Sequence, residues 1–154
     1  MKRIDALQPL SHQHHNALMG SLLIKKGVSK KAEKKVLKDF LLQLWNQDIQ
    51  RHMQAEEEVL LPMIARSQRQ FDSIIKRDHE TLRLLAERIR IHEDGYTPFE
   101  VFASLLEQHI RFEERVVFAK IQEELSDEQL QKISDSFSAI NSRKCQDYPV
   151  KFWE

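Results

Sequence analysis

A histidine and a glutamate stand four residues apart twice in this chain. His52 and Glu56 open "HMQAEEEVLLPMI" (52–64), and His109 and Glu113 open "HIRFEERVVFAKI" (109–121). On a helix, residues i and i+4 lie on one face, one turn apart, so an imidazole and a carboxylate at that spacing can reach one metal ion or two neighbouring ions. A single pair of this kind is ordinarily an i,i+4 hydrogen bond on a solvated face. Here there are two copies, and both sit among apolar residues: Ile49, Met53, Val59, Leu60 and Ile64 around the first, Leu105, Leu106, Phe112, Val116 and Val117 around the second. A carboxylate in such surroundings is costly unless charge or hydrogen bonds compensate it, so the doubled pattern asks for a cation.

If the fold pairs helices, the other two must contribute ligands. "RDHETLRLL" offers His79, and "LSHQHHNALMGSLL" offers His12, His14 and His15. Two alignments disagree about the last stretch. Matching the step His-x-x-Leu sets His15–Leu18 against His79–Leu82 and favours His15. The apolar arc Leu7, Leu10, Leu18 and Leu22 is centred closer to His14. His15 is the preferred ligand and His14 its alternative, with His12 expected at the surface or behind a ligand. His92 falls outside the pattern and reads as a surface or capping residue. The candidate metal set is therefore His15 or His14, His52, Glu56, His79, His109 and Glu113. Nitrogen and oxygen donors without thiolate suit iron, manganese or zinc. Four imidazoles and two carboxylates favour a dinuclear centre, each ion taking two His and sharing both Glu.

The elements that position these residues are helices. Pro9 and Ser11 mark the start of the first, and Gly27 suits its end because glycine tolerates the left-handed conformation there. Ser29 is a candidate cap for the second, which carries Val36, Phe40, Leu44, Ile49, Met53 and Leu60 and extends to about Arg66. A bend is expected near 46–48, and Pro62 should end or kink the helix, lacking the N–H an interior turn needs. The third spans roughly Ser67 to His92, with Phe71, Ile75, Leu82, Leu85 and Ile89 inward. "EDGYTP" is a loop. Thr97-Pro98 opens a fourth helix running to about Glu124, and Ser126 with Gln129 forms a capping box for a short fifth. The tail "CQDYPVKFWE" is expected to dock on the bundle. The expectation is an all-α, up-down four-helix bundle with a short fifth C-terminal helix, one domain over 1–154 with its core at about 10–124.

Composition agrees. The chain has 154 residues, three Gly, four Pro, and balanced charge, with 24 basic and 24 acidic residues. No global basic field points to nucleic acid or an anionic membrane. The lysines from Lys25 to Lys38 are interrupted by Glu33 and read as a solvated surface. No apolar run reaches the roughly 20 residues of a membrane span, and "MKRIDALQPL" lacks a signal peptide's apolar stretch. With Cys145 as the only cysteine, a cytoplasmic protein is expected.

At these residues the sequence resembles the hemerythrin-like family, the HHE cation-binding domains, over about Leu10 to Glu124. The resemblance implies a non-haem di-iron centre with an oxo or hydroxo bridge and bridging carboxylates, held by His15, His52, Glu56, His79, His109 and Glu113. Oxygen-carrying hemerythrins have a second His four residues after that of the third helix, where this chain has Arg83. They also use an Asp five residues after the fourth-helix His, where this chain has Glu113 four after. In both respects it is more similar to the bacterial HHE branch, associated with oxygen, iron or nitric-oxide sensing and stress.

Three functions compete. The leading one is a metal-binding, di-iron protein, monomer or homodimer, that binds or senses a small diatomic ligand such as oxygen or nitric oxide, or handles iron. The second is a di-iron redox enzyme acting on peroxide or nitric oxide. Beyond the ligands the sequence shows no positioned acid–base group, so the balance leans away from an enzyme. The third is a metal-free helical interaction module.

Overall fold

The computed structural model describes residues 4–92, 95–140 and 143–154, and no strand occurs among them. After a 3-10 turn at Asp5–Leu7, α1 runs over Gln8–Ser29 with Pro9 in its first turn. Gly27 does not end it. The helix continues two residues further, and the left-handed residue beyond it is Lys31 (φ 53°). Gly27 is instead a packing site, since a Cβ there would lie 2.6 Å from Leu37 and 2.7 Å from Phe152. Ser29 is the last residue of α1 and caps nothing. Glu33 precedes the next helix, without a side-chain cap.

The second rod, residues 34–64, is one continuous helical path with two changes of pitch. It comprises α2 (Lys34–Leu44), a π turn at Trp45–Ile49, α3 (Gln50–Ala55), a second π turn at Glu56–Leu60 and α4 (Leu61–Ile64). The bend expected near 46–48 is the first π turn. In each, a backbone N–H reaches five residues back, Gln50 to the Trp45 carbonyl and Leu61 to the Glu56 carbonyl. Pro62 sits in the first turn of α4, directly after the second, and the path stops at Ile64.

The third rod is α5 (Arg69–Ile91), and His92 stands exposed at its C-cap. Glu93 and Asp94 of the expected loop lie outside the described residues. Gly95 has φ +75°, the left-handed conformation that favours glycine. The fourth rod comprises α6 (Thr97–Phe112), a π turn at Glu113–Val117 and α7 (Phe118–Glu124). Then α8 (Asp127–Ser138) opens with the expected capping box: Gln129 N–H donates to Ser126 Oγ (3.1 Å) and Ser126 N–H to Gln129 Oε1 (3.0 Å).

Rods that follow one another in the chain also pack together, and α1 closes the ring against α6. With short connections this is an up-down four-helix bundle. α8 packs against α1, α3 and the Asp5–Leu7 turn. The tail does dock. Cys145 N–H donates to Asn16 Oδ1 (3.1 Å), and Phe152 sits 5.0 Å from the Phe40 ring.

The apolar interior comes in two pieces. One is built on Ile24, Leu37, Phe40, Leu41, Leu82, Ile89 and Phe102. The other is built on Leu10, Leu60, Ile64, Ile75, Val117, Phe118, Ile121 and Phe137. Each fully buried large side chain contributes roughly 1.5–3 kcal/mol relative to exposure. Between the two pieces lies a polar layer. Apart from Ser21, every buried polar side chain among the described residues belongs to it: His14, His52, Glu56, His79, His109 and Glu113.

Candidate metal centre

Each residue of the buried polar layer is turned inward by the periodicity of its own rod. On α1 the buried positions include Leu10, His14, Ala17, Ser21, Ile24 and Val28, in helical steps of three and four. His14 lies on that stripe and His15 does not. This corrects the preference for His15, which is exposed on the outer surface. The error has a physical source. An arc through the large apolar residues includes Leu22, which is 45% exposed, while the buried stripe passes through the small residues Ala17, Gly20 and Ser21. At Gly20 an added Cβ would collide with Leu44. His12 is exposed as expected, and it lines an outer groove with His15.

The six inward residues form two groups that could each hold a metal ion: His14, His52, Glu56 and Glu113; and Glu56, His79, His109 and Glu113. Within each group one donor atom from every residue lies within 4.8 Å of the others. Glu56 and Glu113 belong to both, as the doubled motif requires. The individual approaches are short. His14 Nε2 lies 3.0 Å from Glu113 Oε1, His79 Nε2 3.2 Å from Glu56 Oε1, His109 Nε2 3.4 Å from Glu113 Oε1, and His52 Nε2 3.6 Å from Glu56 Oε1.

The outward ring nitrogens are held by a second set of side chains. His52 Nδ1 is 2.6 Å from Gln13 Oε1, His79 Nδ1 2.7 Å from Glu57 Oε2, and His109 Nδ1 3.1 Å from Asp78 Oδ2. The Gln13 amide is oriented by its own donations, from Nε2 to the carbonyls of Phe137 (2.8 Å) and Ile140 (3.5 Å), so its oxygen faces His52. An acceptor at Nδ1 places the proton there and leaves the Nε2 lone pair pointing inward, the tautomer a metal needs. Arg83 donates to Glu57 Oε1 (2.7 Å) and steadies it. Glu114 lies 3.7 Å from His14 Nδ1, and the His14 ring stacks on Phe118 at 5.3 Å and 9°.

Sequence reasoning missed these supporting residues, though a signal existed. Each copy of the motif has a second glutamate directly after the first, and in each the first points into the centre while the second sits behind a histidine of a neighbouring rod.

The inward atoms lack hydrogen-bond partners: both carboxylate oxygens of Glu56 and Glu113, and Nε2 of His14, His52, His79 and His109. Buried polar atoms are almost always satisfied, so a converging set of unsatisfied ones is the mark of a place for a cation. Without a metal, protons take that role. Burial and the charge of Glu113 push Glu56 up to about 7. Burial also opposes charge on His14 and His109, yet Glu113 with Glu114 lifts His14 to about 9, and Glu113 with Asp78 lifts His109 to about 10. Glu113, despite its burial, is held well below the usual carboxylate range, chiefly by the charge of His109. His79 is lowered by burial and by His109.

A cavity of about 20 Å³ abuts the centre, lined on one side by His14, His52, His109 and Glu113 and elsewhere mainly by apolar residues such as Ile49, Met53 and Leu106. That is room for one water-sized molecule. A groove of about 680 Å³ opens on the outer surface beside α1 and is not where the unsatisfied atoms converge.

A four-helix bundle with a buried layer of histidine and glutamate defines a class, the bundle proteins that build a metal site from inward side chains on facing helices. The hemerythrin HHE cation binding domain model matches residues 5–121, and the chain belongs to that family. No curated protein and no solved structure matches it.

Proposed function

We propose that the chain is a non-haem dinuclear metal protein, with iron the ion it carries, that binds or senses a small ligand such as oxygen or nitric oxide. The observation that carries this reading is the convergence of six buried side chains whose inward donor atoms have no hydrogen-bond partner. His14, His52, Glu56, His79, His109 and Glu113 would hold the ions, and nitrogen and oxygen donors of this kind suit iron. Bound iron supplies open coordination positions and a change of oxidation state at a ligand-sized cavity. The protein's own part is to fix the imidazoles by their Nδ1 atoms, to supply two shared negative charges, and to line the approach with apolar residues that limit water. A metal-free interaction module fits poorly, because two carboxylates fully buried with no ion are costly.

Metal analysis with an absorption spectrum tests the proposal. The protein reconstituted anaerobically with iron should carry two ions per chain, one for each group, and its spectrum should change on exposure to oxygen or nitric oxide. A chain that takes up no iron would defeat the reading, and multiple turnovers of peroxide or nitric oxide would make the protein an enzyme instead.

A further inference from the structure

Two segments far apart in the chain meet at the groove of about 680 Å³ beside α1. From α1 come His12 and His15, three positions apart and so neighbours on one helix face, both exposed. From the segment after α8 come Arg143 and Lys144, also exposed. That segment is tied to α1 by the next residue: Cys145 N–H donates to Asn16 Oδ1 (3.1 Å), and the Cys145 thiol to the Asn16 carbonyl (3.4 Å). The anchor that docks the tail therefore also brings two cations to the groove that the two imidazoles line.

No carboxylate lines this groove among the described residues, and none of the four groups has an ion pair among them. The carboxylates on the flanking elements face other partners. Asp48 accepts from Asn16 Nδ2 (3.4 Å), Glu114 from Ser11 Oγ (3.1 Å) and Asp135 from Gln131 Nε2 (2.8 Å). Asp48 and Asp147 line a separate hollow of about 90 Å³ that Arg143 and Lys144 also border, and the cations pair with neither. On the rods, by contrast, Lys25, Arg83, Arg90 and Arg111 each pair with a glutamate. The floor of the groove is apolar in part, with Met19 and Ile140 half-buried and Phe137 buried. Its amides are already used, Asn16 as above and Gln13 on His52 and on the carbonyls of Phe137 and Ile140. Recognition of an occupant falls to the cations, the imidazole N–H groups and the apolar floor. The volume is that of a small-molecule site. A guanidinium fork and an ammonium suit an oxyanion, and donors from four side chains match the three oxygens of a phosphate better than the two of a carboxylate.

We propose that this groove binds a small organic phosphate, with the phosphate on Arg143, Lys144, His12 and His15 and the apolar body on Met19 and Ile140. The site is independent of the metal-centre reading.

Calorimetric titration of the full chain with phenyl phosphate tests it. One site per chain is expected. Inorganic phosphate, which lacks the apolar body, should bind about tenfold more weakly, the worth of burying part of a phenyl ring. Changing both cations, Arg143→Gln with Lys144→Gln, should weaken phenyl phosphate at least about tenfold, since hydrogen bonds to charged groups are lost. Lys35→Gln with Lys38→Gln removes the same net charge from a different groove and should leave binding unchanged. All four side chains are exposed, so each variant should melt with the parent. Absence of saturable binding, equal weakening by the Lys35 and Lys38 pair, or inorganic phosphate binding as tightly as phenyl phosphate would overturn the proposal. Tighter binding of a hexaglutamate peptide would overturn it too, making the groove a surface for an acidic protein segment.

Discussion

The first and second rods and the third and fourth rods build the same half-centre from different materials. In each half a lone histidine follows a polar residue, Gln13–His14 in one and Asp78–His79 in the other. In each, that polar residue holds the histidine of the doubled motif beside it, Gln13 on His52 and Asp78 on His109. The second glutamates cross over, Glu57 from the second rod to His79 and Glu114 from the fourth towards His14. The inner residues obey the two-fold relation and the outer ones do not: an amide replaces a carboxylate at Gln13, and Glu57 accepts from Arg83 where Glu114 accepts from Ser11. The inner residues must match for both groups to share two carboxylates. The partners behind them are free to differ, and there the halves can acquire different tasks.

The largest effect should come from a residue common to both halves. Glu113→Ala is expected to reduce bound metal to near zero, measured as ions per chain, because both groups lose a member. Retention of one ion would show that the carboxylate is not shared. Next come residues of one half only. His14→Ala should leave one ion per chain, whereas His15→Ala should leave both, since His15 belongs to neither group. Equal losses from the two would return the choice between them to the sequence alternatives.

Metal removal should lower stability by mass action, about 4 kcal/mol for an ion at a thousand times its dissociation constant. Thermal melts with and without chelator measure it. The pH dependence sharpens this further. A group whose folded value lies above its unfolded one contributes stability that is lost as pH rises towards the folded value. Glu56 has made that loss by about pH 7, and the lowered Glu113 and His79 act only below their ordinary values of 4.5 and 6.5. Above pH 7 the raised His14 and His109, at about 9 and about 10, are still losing stability. The metal-free protein should therefore melt at a lower temperature at about pH 8.5 than at about pH 7. The loaded protein should do the reverse, because metal competes with those protons. Parallel slopes would mean that no ion displaces them. The smallest effect is reserved for Arg83→Ala. Its side chain is 34% exposed, so removing its clamp on Glu57 should lower the melting temperature of the loaded protein only slightly.

The helices and the doubled motif were legible because long amphipathic segments repeat at 3.6 residues, and a histidine–glutamate pair at i,i+4 marks one face. His52, Glu56, His109 and Glu113 are marked by that pair, and His79 by the need for a partner from a neighbouring helix. The first-rod histidine of the buried layer was not, because the stripe that buries His14 runs through Ala17, Gly20 and Ser21, whose small side chains give no apolar signal. Gln13, Glu57 and Asp78 look like solvated polar residues in sequence. Only the packing of neighbouring rods turns them towards a ring nitrogen. Arg83 stands where a second histidine occurs in oxygen-carrying relatives, and its use here as a brace for Glu57 depends on a contact between rods that no local pattern encodes.

The π turns carry one more consequence. Those at Glu56–Leu60 and Glu113–Val117 each begin on a shared carboxylate. A bond spanning five residues encloses one residue more than an ordinary helical turn, so each π turn is a helix holding a single surplus residue. Deleting that residue would let the rod close into regular α-helix at no cost in hydrogen bonds, and it would rotate everything beyond by about a quarter turn. The surplus residue in each rod thus sets the phase between a carboxylate and the apolar residues beyond it, and its loss would turn Leu60, Ile64, Val117 and Ile121 away from the second apolar piece.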